Sequence, residues 1–125
     1  MYNSNNIFAK MIRNEMPCAK VYEDESTLIF TDCEPIAPIH LLAIPKSNFK
    51  SFDDFTLKAS KYQLSSFFKS IQKVTHEYKI NESGYRLITN HGTNSIQTVE
   101  HFHVHIIGGK KLGPLISSEK DHINK

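Results

Sequence analysis

Apolar and polar positions along the chain fall into windows of two different periods. Short β-branched and aromatic runs at Ala19–Tyr22, Thr27–Thr31, His40–Ile44, Tyr85–Asn90 and His101–Ile107 predict five strands. The acidic turn Glu23-Asp24-Glu25-Ser26 separates the first two, and Pro38 and Pro45 bound the third, where prolines suit strand ends. Between the third and fourth, Leu57, Leu64, Phe67, Phe68, Ile71, Val74 and Tyr78 recur mostly at three- and four-residue steps. That spacing makes one apolar stripe and predicts a long helix over Thr56–Tyr78, ended by Asn81-Glu82-Ser83-Gly84. A short helix is predicted from Ile7 to Arg13, with Asn6 as its N-cap and Pro17 beyond its end. The expected class is α+β: an antiparallel five-stranded sheet with one long and one short helix.

Size and charge narrow this picture. At 125 residues the chain fits a single domain, 1–125, with 1–6 as a flexible N-terminus and 111–125 as a variable tail. The net charge of +2 comes from scattered lysines, which argues against a nucleic-acid partner, since such binding needs clustered phosphate contacts. No apolar run approaches a membrane span, and the polar start Met1-Tyr2-Asn3-Ser4-Asn5-Asn6 is unlike a secretory leader. Cys18 and Cys33 give neither a disulfide framework nor a metal-type spacing. A reducing cytoplasm is the expected setting.

The chemistry concentrates in His101-Phe102-His103-Val104-His105-Ile106-Ile107. Successive strand side chains point to opposite faces, so the three histidines share one face and Phe102, Val104 and Ile106 the other, beneath the long helix. Burying the apolar set pins the register and holds the histidine face outward. Three readings compete. Tolerated strand residues would not explain three rings side by side. A metal site would use His-X-His, yet no carboxylate shares the strand face, because Glu100 points the other way. Acid–base and nucleophilic work on phosphorus uses all three rings: one is the free nucleophile, while neighbours carry protons or hydrogen bonds to phosphate oxygens. This reading is preferred.

The alternating run resembles the signature of the histidine triad (HIT) family. Asp32, Ala37-Pro38-Ile39-His40, Ile44-Pro45-Lys46, Tyr85-Arg86 and Asn90 follow in the order found in its Hint branch, the histidine triad nucleotide-binding proteins. The resemblance implies a homodimer whose subunits join their sheets, and metal-independent hydrolysis of nucleoside phosphoramidates such as adenosine monophosphate (AMP) joined to an amine, with no cofactor. By the same resemblance His103 is the nucleophile and forms a nucleotidyl-histidine. His101 and His105 orient it and contact phosphate, and His40 is the fourth histidine of the pocket. Asp32 would bind the ribose hydroxyls, with Cys33 beside it; Asn90, Gln97 and Thr98 would line the phosphate and leaving-group end, and Ile7 and Phe8 the base. The family often has glycine where this chain has Ile96, and Gln97-Thr98-Val99 also resembles the Fhit branch, which cleaves dinucleoside polyphosphates. A dinucleoside polyphosphate hydrolase and a non-catalytic nucleotide-binding adaptor are therefore the alternatives. His76, His91 and His122 match nothing in the motif and read as surface or loop residues.

Overall fold

The computed structural model describes residues 1–116. The tail expected over 111–125 is thus described only to residue 116, and His122 lies outside the described residues.

Five antiparallel strands form one sheet: β1 (Lys20–Glu23), β2 (Thr27–Thr31), β3 (Ile39–Pro45), β4 (Tyr85–Ile88) and β5 (Val104–Gly108), in the order β1-β2-β3-β5-β4. The number of strands and their antiparallel sense agree with the pattern in the sequence, although β5 begins at Val104, so His101 and His103 sit just ahead of the ladder. The helices depart from expectation. Besides α1 (Ile7–Ile12) the described residues hold three α-helices where one was expected: α2 (Phe52–Lys58), α3 (Lys61–Glu77) and the single turn α4 (Ile80–Ser83).

The predicted long helix is cut at Ala59, whose backbone is extended, because Ser60 starts a new helix. The Ser60 hydroxyl accepts from the Gln63 N–H at 3.0 Å, and the Gln63 side chain accepts from the Ser60 N–H at 2.8 Å. This reciprocal pair is a capping box, and it outweighs the unbroken apolar spacing. The stripe survives the cut only in part. Phe55 from α2 and Phe67, Ile71 and Val74 from α3 share one buried cluster, but Leu57 is 82% exposed.

Two cores lie on opposite faces of the sheet. Ile29, Leu41, Ala43, Phe102, Val104 and Ile106 pack beneath α2 and α3. Leu28, Phe30, Leu42 and Ile44 pack beneath α1, against Phe8. Each core draws alternate residues from the same strands, so a slip of one position would exchange them. Pairing of Leu42 with His105 places that histidine on the α1 face, and Phe102, Val104 and Ile106 lie under the helices as their alternation requires.

Phe55 is fully buried and stacks on Phe102 at 4.6 Å. Phe55→Ala should therefore lower stability by about 3–5 kcal/mol. Urea unfolding checks this, and a loss below about 1 kcal/mol would show that the two helices do not depend on that contact.

Candidate active site

The four histidines meet on the α1 face, but they are not held outward as expected. His101 is fully buried, His103 and His40 nearly so, and only His105 keeps a share of surface. Their covering is the N-terminal segment. Tyr2 and Phe8 lie edge-on to His101, and the Phe8 ring centre stands 5.0 Å from that of His103. Within residues 1–6, Tyr2 reaches His101 and Asn6 reaches Tyr2.

Main-chain groups fix the proton on three of the four rings, because a carbonyl can only accept and an N–H can only donate. His103 Nδ1 lies 2.7 Å from the His101 carbonyl oxygen and so must donate. The lone pair of neutral His103 is therefore on Nε2, which has no hydrogen-bond partner among the described residues and yet is not sealed from solvent by them. Thr89 Oγ1 donates to the His103 carbonyl at 2.8 Å and steadies the same residue. His101 Nε2 donates to the Pro45 carbonyl at 2.7 Å, which leaves its Nδ1 as the acceptor for the Tyr2 hydroxyl. His40 Nδ1 accepts from the Ile36 N–H at 3.2 Å, so its proton is on Nε2, 2.9 Å from His105 Nδ1. His105 in turn carries its proton on Nε2.

Burial pushes the three triad rings toward the neutral form. His101 is held down to about 4, chiefly by desolvation, against the bond to Pro45. His105 is held at about 4 by desolvation and by His103 and His40 beside it, with Asp32 opposing. His103 is lowered by desolvation, partly offset by its bond to the His101 carbonyl and by Asp32. Of the two roles expected for the neighbouring rings, carrying protons or hydrogen-bonding, these shifts favour hydrogen-bonding by neutral rings in the unliganded protein.

A carboxylate does approach the rings, though from a loop and not from the histidine strand: Asp32. It lies in the β2–β3 loop, with Oδ2 3.3 Å from His40 Nε2 and 4.0 Å from His105 Nδ1. These three donor atoms could surround a metal ion. However, a ligating imidazole ordinarily donates its second N–H, whereas His40 Nδ1 receives one from Ile36. The cluster is thus arranged to share a proton.

Beside it lies a mainly apolar cavity of about 230 Å³, walled by Ile7, Phe8, Met11, Phe30 and Cys33 with Asp32 at its polar edge. Ile7, Phe8, Asp32 and Cys33 therefore stand together, the grouping that the family resemblance implied. Gln97 does not join them. Its Oε1 accepts from the Gly92 N–H at 3.0 Å, and its Nε2 donates to the carbonyls of Lys50 at 2.7 Å and Val99 at 3.1 Å. With every polar position bound to main chain, Gln97 braces its loop and is not free to meet phosphate. Asn90 is partly buried two residues past β4, and Thr98 is exposed on the same loop as Gln97. Ile96 has φ +61°, a left-handed conformation costly for a β-branched residue and open to glycine. Tyr2, Ile36, Pro45 and Thr89 were missed from the sequence. Three of them act through main chain or on it, and only the tyrosine in a polar N-terminus offered a signal.

An antiparallel sheet with buried, alternating histidines under a short N-terminal helix defines the class of histidine triad proteins. The HIT domain model matches residues 13–112, and the chain belongs to the HIT family. It is 48% identical over 118 residues to an uncharacterised HIT-like protein of Rickettsia prowazekii, covering 94% of this chain and 98% of that one. It is 36% identical over 111 residues to the purine nucleoside phosphoramidase of Escherichia coli, covering 89% and 92%. The structure of a histidine triad protein from Clostridium difficile superposes with a TM-score of 0.83 at 36% identity, over 93% of this chain and all of that one.

The lowered rings link stability to acid. Groups that stay neutral in the folded state contribute fully above the ordinary imidazole value of 6.5, and their contribution is lost as pH falls from there toward about 4. Urea midpoints should drop between pH 7 and pH 4.5, and His105→Gln should make the drop shallower. An unchanged slope in that variant would remove His105 from the linkage.

Proposed function

We propose that this protein hydrolyses purine nucleoside phosphoramidates, such as AMP joined through phosphorus to an amine, by way of a nucleotide carried on His103. One observation carries the reading: the bond from His103 Nδ1 to the His101 carbonyl leaves the Nε2 lone pair free on a ring whose pKa burial lowers. A neutral imidazole so oriented is a ready nucleophile. The apolar cavity bounded by Ile7 and Phe8 suits a purine, and the Asp32 carboxylate at its edge can accept from both ribose hydroxyls. His105 Nε2–H then faces the phosphate as a hydrogen-bond donor, its tautomer set by His40.

The chemistry runs in two displacements. His103 Nε2 attacks phosphorus, the P–N bond to the amine breaks, and the departing nitrogen takes a proton from solvent. Water then attacks the same phosphorus, the P–Nε2 bond breaks, a proton returns to solvent, and the nucleoside monophosphate leaves. No cofactor or metal enters either step. The relative named purine nucleoside phosphoramidase supports this substrate class over a dinucleoside polyphosphate. A homodimer is part of the same proposal. Strand β4 ends the sheet with one edge unpaired among the described residues, and Tyr85 and Leu87 on it remain about two-fifths exposed. Such an edge suits continuation by a second copy. The setting proposed is cytoplasmic; among the described residues no helix is long and apolar enough to cross a membrane.

Incubation with an adenosine phosphoramidate should release the free amine, and His103→Ala should lower kcat/KM by about three orders of magnitude or more. Full activity in that variant ends the nucleophile assignment, and tight AMP binding without turnover in the wild type would favour an adaptor. Because burial lowers the His103 pKa, the acid limb of kcat/KM should have its midpoint below 6.5, and a midpoint above that value contradicts the lowering by burial. Leu87→Lys should convert a dimer to monomer in sedimentation experiments, whereas an unaltered dimer would place the interface elsewhere.

A further inference from the structure

We infer that Tyr2 is a positioning residue for His103, acting through His101. The inference deepens the reading above and rests on it for its kinetic part. Tyr2 is partly buried, and its oxygen lies between Asn6 Nδ2, 3.0 Å away, and His101 Nδ1. The Asn6 amide can only donate through Nδ2, so the phenol oxygen accepts there and its single hydrogen goes to His101. His101 is thereby held at both ring nitrogens, by Tyr2 on one side and the Pro45 carbonyl at 2.7 Å on the other. The same residue's carbonyl holds His103 Nδ1 at 2.7 Å. A fully buried ring that cannot turn keeps its own peptide in place, and that peptide sets the direction of the nucleophile's lone pair.

Asn6 adds a second connection. Its Oδ1 caps α1 by accepting from the Ala9 N–H at 2.9 Å, while its Nδ2 serves Tyr2. One amide therefore ties the helix that carries Phe8, packed edge-on to His103, to the hydroxyl that fixes His101. Tyr2 is not among the walls of the apolar cavity, so its effect falls on turnover and not on nucleotide binding. Removing the hydroxyl leaves His101 Nδ1 a buried acceptor without a partner. A change of tautomer would set the Nε2 lone pair against the Pro45 carbonyl and break that bond.

The test combines kinetics with nitrogen-15 NMR of the histidine rings in the full-length protein. In the wild type, His101 should be protonated at Nε2 and unprotonated at Nδ1, and His103 the reverse. Tyr2→Phe keeps the aromatic ring against His101 and deletes only the hydroxyl. It should lower kcat about five- to twentyfold, the size of one lost buried hydrogen bond, with KM within about twofold. The His101 Nδ1 and His103 Nδ1–H resonances should both shift. Asn6→Asp is the second variant: it retains the helix cap but offers a carboxylate that competes for the phenol hydrogen, so the same resonances should move in a protein that still folds. Unchanged ring spectra in Asn6→Asp and Tyr2→Phe, or a wild-type His101 protonated at Nδ1, overturn the inference. So does a shifted spectrum with wild-type kcat. Should the wild type turn over no phosphoramidate, the proposed reaction fails, and the His103 resonance alone still decides whether Tyr2 positions that ring.

Discussion

The site depends on one short bond, from His103 Nδ1 to the carbonyl oxygen of His101 two residues earlier. A neutral imidazole has one proton, and a carbonyl cannot supply another. Wherever that proton is held, the lone pair appears on the opposite nitrogen. The bond is made to main chain, so it survives as long as the backbone of residues 101–103 keeps its course. Much of the surrounding structure serves that course: Thr89 on the His103 carbonyl, the Phe102 N–H given to the Phe49 carbonyl at 2.7 Å, and the His101 ring anchored to Pro45.

The sheet makes this possible by dividing its strands' side chains between two cores. Phe102, Val104 and Ile106 go under α2 and α3 while His101, His103 and His105 go under α1. A shift of one residue would place imidazoles in the larger apolar cluster and phenylalanine in the pocket, and the burial of both faces forbids it. The same burial that fixes the rings also strips them of water, which keeps them neutral and makes each hydrogen bond among them directional. Position and protonation thus have a common origin in packing.

The strands were legible because both their faces are read by period, and Asp32, His40 and the triad came together because β2, β3 and β5 are neighbours in the sheet. The helices were less so. The spacing from Leu57 to Tyr78 is compatible with one cylinder, and only the local Ser60–Gln63 exchange divides it. Nor could composition show that Gln97 spends its amide on main chain, or that a polar N-terminus closes over His101. Hydrogen bonds to Ile36, Pro45 and the His101 carbonyl involve atoms that every residue possesses, so side-chain identity carries no trace of them. The sequence shows which rings share a face; the backbone decides which nitrogen of each ring is free.

The most direct measurement is the stereochemical course at phosphorus. An adenosine phosphoramidate made chiral there with sulfur can be hydrolysed in oxygen-18 water and the product's configuration determined. Attack by His103 followed by water is two in-line displacements, so the account predicts retention. Inversion would mean that water meets phosphorus directly, and the free Nε2 of His103 would then have no covalent part in the reaction.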